Sequence, residues 1–215
     1  MSPRLSRSLA AFALAVTPSL AFSQTTTMDF STIGGNNFDA ISQSFGDNAN
    51  LNVTNRTRSG FGNAAVSCAY ASLWNAGYSD LTAAAFSCND GAVAEFFFQP
   101  LNGTTVFLNS LQFGSWDSNG TCCGPVRRWT YWIYDSDWTL LDNGGGALAS
   151  TFTATSNASS STGLYVQYGT DWNVGANNIT TTVGDVTTTP EPASLALFGT
   201  GLIGLAGVRR NRRRA

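Results

Sequence analysis

The chain has 215 residues with 11 basic and 13 acidic side chains, but residues 24–189 hold four arginines against twelve carboxylates, a local charge of −8. A domain of that sign repels phosphate backbones, so no nucleic acid is expected as a partner. Histidine and lysine are both absent, which removes the usual general base near neutral pH, the commonest metal ligand and the Schiff-base amine. No cofactor or metal is therefore expected, and any chemistry would rest on carboxylates, cysteine or tyrosine.

The first element is a targeting segment. Arg4 and Arg7 precede an apolar run over residues 9–16, and Ala21, Phe22 and Ser23 end it before the polar Gln24. A basic start, a short apolar core and a small-x-small site predict a signal peptide over residues 1–23, with Ser23 the last residue removed.

The middle segment, residues 24–189, shows short stretches of period-two alternation separated by Gly, Ser, Thr and Asn, which predicts an all-β extracytoplasmic domain. A first strand is expected within 64–74, and only 69–85 has room for a short helix. Residues 92–98 place Ala94, Phe96 and Phe98 on one face and Glu95 on the other, between Asn89-Asp90-Gly91 and Pro100. Residues 104–113 follow the turn Leu101-Asn102-Gly103, so these two strands are expected to form a hairpin. Residues 127–135 put Trp129, Tyr131 and Ile133 on one face and Thr130, Trp132 and Tyr134 on the other. Strands at 138–141, 147–154, 164–168 and 178–183 bring the set to about eight, predicting a β-sandwich of jelly-roll type.

The last segment, residues 190–215, changes composition abruptly. Pro190, Glu191 and Pro192 hold an extended stretch, because each proline restricts its own backbone and Pro192 disfavours helix at Glu191. Residues 193–208 are uncharged and read as one transmembrane helix of ~24 Å against a hydrocarbon core of ~30 Å. Arg209, Arg210, Arg212, Arg213 and Arg214 then act as a stop that keeps the end of the chain cytoplasmic. The ordered set of tripeptide, apolar helix, basic end and N-terminal signal resembles the PEP-CTERM sorting signal. That resemblance implies recognition at Pro190, Glu191 and Pro192 by exosortase, a membrane-embedded protease. It further implies transient residence in the inner membrane through the helix, removal of the tail, and delivery to the cell surface or extracellular matrix. A second, looser resemblance, from Glu95 through Asn178 and Ile179, is to the galactose-binding-like sandwiches, and it implies a capacity to bind sugar.

Four cysteines fall in the exported segment, where they can pair. Either Cys68 joins Cys88, leaving Cys122 and Cys123 as a vicinal pair, or the adjacent cysteines join Cys68 and Cys88 separately. Their spacing lacks C-x-x-C, which argues against a thiolate metal site. Trp132 and Tyr134 share a face and are candidate platforms for a pyranose ring; the same two residues also fit a strand buried on both faces. Trp116, Trp138 and Trp172 near turns offer further rings. Asp135, Asp137 and Asp142, with Asp117 and Asn119, present oxygens for a calcium ion, although turn chemistry accounts for the same residues. The reading drawn from these features is a non-catalytic surface or matrix protein associated with exopolysaccharide. A carbohydrate-binding module is the alternative, and a secreted carboxylate hydrolase the second alternative.

Overall fold

The computed structural model describes residues 22–75, 78–116, 127–170 and 173–185. Cys122, Cys123, Asp117, Asn119, Trp172, nearly all of the expected signal peptide and the whole of 190–215 lie outside the described residues. Thirteen strands follow in chain order: β1 (Ser23–Met28), β2 (Leu51–Arg58), β3 (Val66–Cys68), β4 (Ser72–Trp74), β5 (Ala84–Phe86), β6 (Val93–Pro100) and β7 (Thr105–Ser115). The series continues with β8 (Arg127–Asp135), β9 (Leu140–Leu148), β10 (Phe152–Thr155), β11 (Ser159–Ser160), β12 (Leu164–Gly169) and β13 (Val174–Gly184). One 3-10 turn, Phe30–Thr32, is the only helical element among the described residues.

The strands form two antiparallel sheets. One runs β3-β2-β6-β12-β8-β9; the other runs β10-β7-β13-β5-β4, with β1 alongside β13 and β11 alongside β7. Their winding follows from four pairings: β8 with β9, β7 with β10 and β11, β6 with β12, and β5 with β13. Each successive pair lies in the opposite sheet, so the chain from β5 to β13 is one long antiparallel ribbon rolled into a jelly roll. Rolling brings β13 against β7 and β12 against β8, which completes the sheets.

Burial explains why these strands hold. Ala94, Phe96 and Phe98 of β6, Ile133 of β8 and Val166 of β12 face Val106, Leu108, Leu111 and Phe113 of β7 and Ile179 of β13 in one core. Phe113 sits centrally, 5.6 Å from Trp129 and 5.9 Å from Tyr168 between ring centres. Removing a fully buried phenylalanine from such packing costs about 3–5 kcal/mol.

Four expectations change. Residues 92–98 and 104–113 do not form a hairpin: β6 and β7 belong to different sheets, and Asn102 (φ 57°) and Gly103 (φ 75°) carry the chain across. Their apolar faces meet across the core instead of lying side by side. The segment 69–85 holds β4 and β5 and no helix among its described residues. Ala84 is pressed against Gly175 of β13, where an added Cβ would come within 2.6 Å, so close sheet packing overrides the helical preference of alanine. Residues 147–154 are not one strand, because β9 ends at Leu148 in one sheet and β10 begins at Phe152 in the other. Trp138 belongs to no strand and sits in the turn before β9, at φ 65°.

Cys68 and Cys88 are joined, with Cα atoms 6.5 Å apart, which realises the local pairing and overturns the one that sends them separately to Cys122 and Cys123. Closing a loop of 20 residues restricts the unfolded chain by about 3 kcal/mol.

Candidate functional site

The outer face of the six-stranded sheet collects the chemistry that the sequence singled out. Register alone aligns one row across it: Arg56 opposite Glu95, Glu95 opposite Gln167, Gln167 opposite Trp132, and Trp132 opposite Asn143. Glu95 is 1% exposed, and burial of a carboxylate is tolerable only with full compensation. It has that compensation. Arg56 Nε donates to Oε1, while Arg58 Nε at 2.5 Å and Gln167 Nε2 at 2.6 Å donate to Oε2.

The same groups hold a loop over the row. Gln167 accepts from the Gly62 amide at 2.7 Å and donates to the Gly62 carbonyl at 2.8 Å. Arg58 Nη1 donates to the Ala64 carbonyl at 2.5 Å and to Asn63 Oδ1 at 3.2 Å. Residues 59–65 are thereby anchored, and their Phe61 lies stacked on Trp132 at 5.4 Å.

Beside the ionic row runs a continuous layer of rings. Trp132 meets Tyr134 at 6.1 Å, Tyr134 meets Trp138 at 5.7 Å, Trp138 stacks on Tyr165 at 4.2 Å, and Tyr165 stacks on Phe97 at 4.3 Å. The Arg58 guanidinium lies 4.5 Å from the centre of the Trp138 ring, and that of Arg56 lies 5.7 Å from Tyr165. Such cation–π contacts help retain the arginines once their solvation is reduced. Tyr134 is only 6% exposed, and burial pushes its phenol above the ordinary range.

Trp132 and Tyr134 are therefore on one face, as their spacing required, but they do not form an open flat platform. Phe61 covers one ring and the sheet environment buries the other, so β8 is covered on both faces. Trp116 packs edge-on against Trp74 at 4.7 Å, inside a second small cluster with Tyr78 and Phe86.

The aspartates are likewise used locally. Asp135 Oδ1 accepts from the amides of Asp137 and Thr139, both at 2.9 Å, closing its own turn. Asp142 points inward and accepts from Ser156 Oγ at 2.6 Å and Tyr131 OH at 3.3 Å. Among the described residues no three carboxylates or cysteines converge on a shared point.

A feature without any advance signal lies beyond the other sheet's β4–β5 edge. Phe38, Phe86, Cys88, Asn89 and Asp90 line a shallow recess of about 220 Å³. Phe38 is 61% exposed and sits at φ 71°, a backbone conformation that costs a bulky L-residue roughly 1–2 kcal/mol. Local bonds hold it there: the Phe38 amide donates to the Leu73 carbonyl at 2.7 Å, and Asp39 Oδ2 accepts from the Asn36 amide at 2.7 Å. The readable hint was Gly34-Gly35-Asn36-Asn37, a run of turn formers placed directly before an aromatic residue.

Comparison with known families adds the decisive observation at the other end of the chain. Residues 188–213 match the PEP-CTERM protein-sorting motif. The chain carries a PEP-CTERM sorting signal. The match encloses Pro190, Glu191, Pro192 and the arginines through Arg213, and it implies export, passage through the membrane and sorting toward the cell surface. It also implies processing by exosortase, a membrane enzyme. The PEP-CTERM segment lies outside the described residues, as does the expected helix 193–208; among the described residues no helix is long and apolar enough to cross a membrane. No curated protein matches the chain.

Proposed function

We propose that this is a non-catalytic surface or extracellular-matrix protein that associates with exopolysaccharide after exosortase removes its tail. The observation that carries the reading is the sorting motif at 188–213, attached to an all-β domain of strongly acidic character. An acidic, disulfide-closed sandwich is soluble and persistent outside the cell, and it has no histidine or lysine with which to build the commoner catalytic centres. The hydrolase alternative draws no support from Glu95, since that carboxylate faces two arginines and no second acid.

The test is intact mass and retention measured together. Protein recovered from the outer surface is expected to begin near Gln24 and to lack Arg209–Ala215, and to stay with the cells' own polysaccharide through washing. Recovery of full-length chain from the surface would sink the processing step, and equal washing from polysaccharide-depleted and intact cells would sink the association.

A further inference from the structure

We infer that the recess between Phe38 and the Asn89–Asp90 turn is a subsite for one neutral pyranose unit of an extracellular glycan. The inference rests on the polysaccharide reading above and moves the sugar contact away from Trp132 and Tyr134. Those rings turn their faces to one another and to Phe61, whereas Phe38 is the most exposed aromatic side chain among the described residues.

Size, polarity and charge each narrow the ligand. A volume of about 220 Å³ takes one six-membered ring and falls below the ~300–1,000 Å³ of sites for larger organic ligands. The floor is apolar, with Phe86 buried beneath and Phe38 edge-on to it at 5.9 Å and to Trp74 at 4.8 Å, so the Phe38 ring is braced from the inner side.

The rim offers acceptors. Asp90 Oδ1 takes the Gly91 amide at 3.0 Å, and Asn89 Nδ2 is spent on Ser67 Oγ at 2.7 Å. Asp90 Oδ2 and Asn89 Oδ1 accept no hydrogen bond from the described residues, so the site presents two oxygens that want hydroxyl donors beside a ring that wants an apolar face. A pyranose has both. An anionic sugar would meet Asp90 within a domain of charge −8, which disfavours uronic or sulfated units. The Cys68–Cys88 bridge ends in the recess wall and holds the rim in place, which lowers the ordering cost of binding.

The experiment titrates the exported protein with the methyl glycosides of glucose, galactose and mannose, reading amide shifts of residues 36–39 and 88–91. It then repeats the titration with Phe38→Gly and Asp90→Asn. Glycine suits the positive φ at this position and Asp90→Asn keeps the shape, so both variants are expected to melt at or above the parent temperature. At least one glycoside is expected to saturate the parent, with binding weakened about tenfold or more in each variant.

The inference fails if no glycoside shifts these residues, if both variants bind as the parent does, or if phenol binds there while every glycoside does not. Retention on the cells' own polysaccharide separates the two readings. Equal retention of parent and Phe38→Gly would overturn the subsite while leaving the association intact. A parent that binds a glycoside but is not retained would overturn the association while leaving the subsite.

Discussion

The two outer faces of the sandwich are made by the same pleat and are opposite in chemistry. The seven strands of the β7–β13 sheet contain no charged residue at all, whereas the six-stranded sheet holds all four arginines of the domain together with Glu95, Asp135 and Asp142. On the charge-free face, short polar side chains satisfy one another across strands. Thr25 meets Thr182 at 3.0 Å, Thr27 meets Thr180 at 3.1 Å, and Asn109 donates to Thr182 at 2.8 Å. On the other face, residues 59–65 and the turn at Trp138 lie over the strands, and beneath them ions and rings replace hydroxyls. The difference teaches that alternation decides which residues leave the core, while a covering loop decides whether the leaving face can be aromatic and ionic.

The covered face is the one that mutation breaks hardest. Replacing Glu95 by Ala strands Arg58, whose side chain is 5% exposed, and is expected to cost about 3–5 kcal/mol in urea unfolding. A loss below about 1 kcal/mol would mean that the cluster is solvated and that the loop is held by Gly62 alone. Next comes the bridge: Cys68→Ser with Cys88→Ser is expected to lower stability by about 3 kcal/mol, a loss that reducing agent should reproduce in the parent.

Gly144 sharpens the comparison from the core side. An alanine Cβ there would fall 2.7 Å from the Tyr131 ring, so Gly144→Ala is expected to cost about 1–3 kcal/mol by thermal melting. A smaller, pH-dependent effect belongs to Asp29, at the end of β1. Its carboxyl is held below 3.8 chiefly by the Ser31 hydroxyl, at 2.6 Å, with the Ser31 amide and Asn177 assisting. A depressed folded value means stability present above 3.8 and lost as pH falls through the folded value, so Asp29→Asn should flatten the acid limb of the stability curve. The smallest effect is expected on the open face, where Thr25→Ala and Thr27→Ala should each stay within about 0.5 kcal/mol. A larger loss there would show the hydroxyl pairs to be structural and erase the contrast between faces.

Legibility in the sequence followed the same line. Residues 127–135 match β8 end for end, and β6 was readable with Glu95 opposite its core stripe, because aromatic and aliphatic residues alternate there without interruption. β1 and β2 escaped notice since their inward positions are largely polar. Met28 is the only apolar residue of β1, and Asn55 and Thr57 of β2 are buried by bonds to Ala71 and Tyr70. The shared face of Trp132 and Tyr134 was legible from their spacing. Their cover was not, because Phe61 reaches Trp132 only through the pairing of distant strands. Phe38 gave no periodic signal, since its exposure comes from an irregular turn held by β4.

Taken alone, the sequence determined the all-β class, the strongest strands and the sorting motif at 188–213, all of which are written in short-range patterns of period, turn residue and composition. Tertiary structure decided which sheet each strand joins, that Asn102 and Gly103 cross the core instead of closing a hairpin, and which aromatic rings remain open to solvent. Those outcomes depend on contacts between segments far apart in the chain, where packing and hydrogen-bond compensation outweigh any local preference.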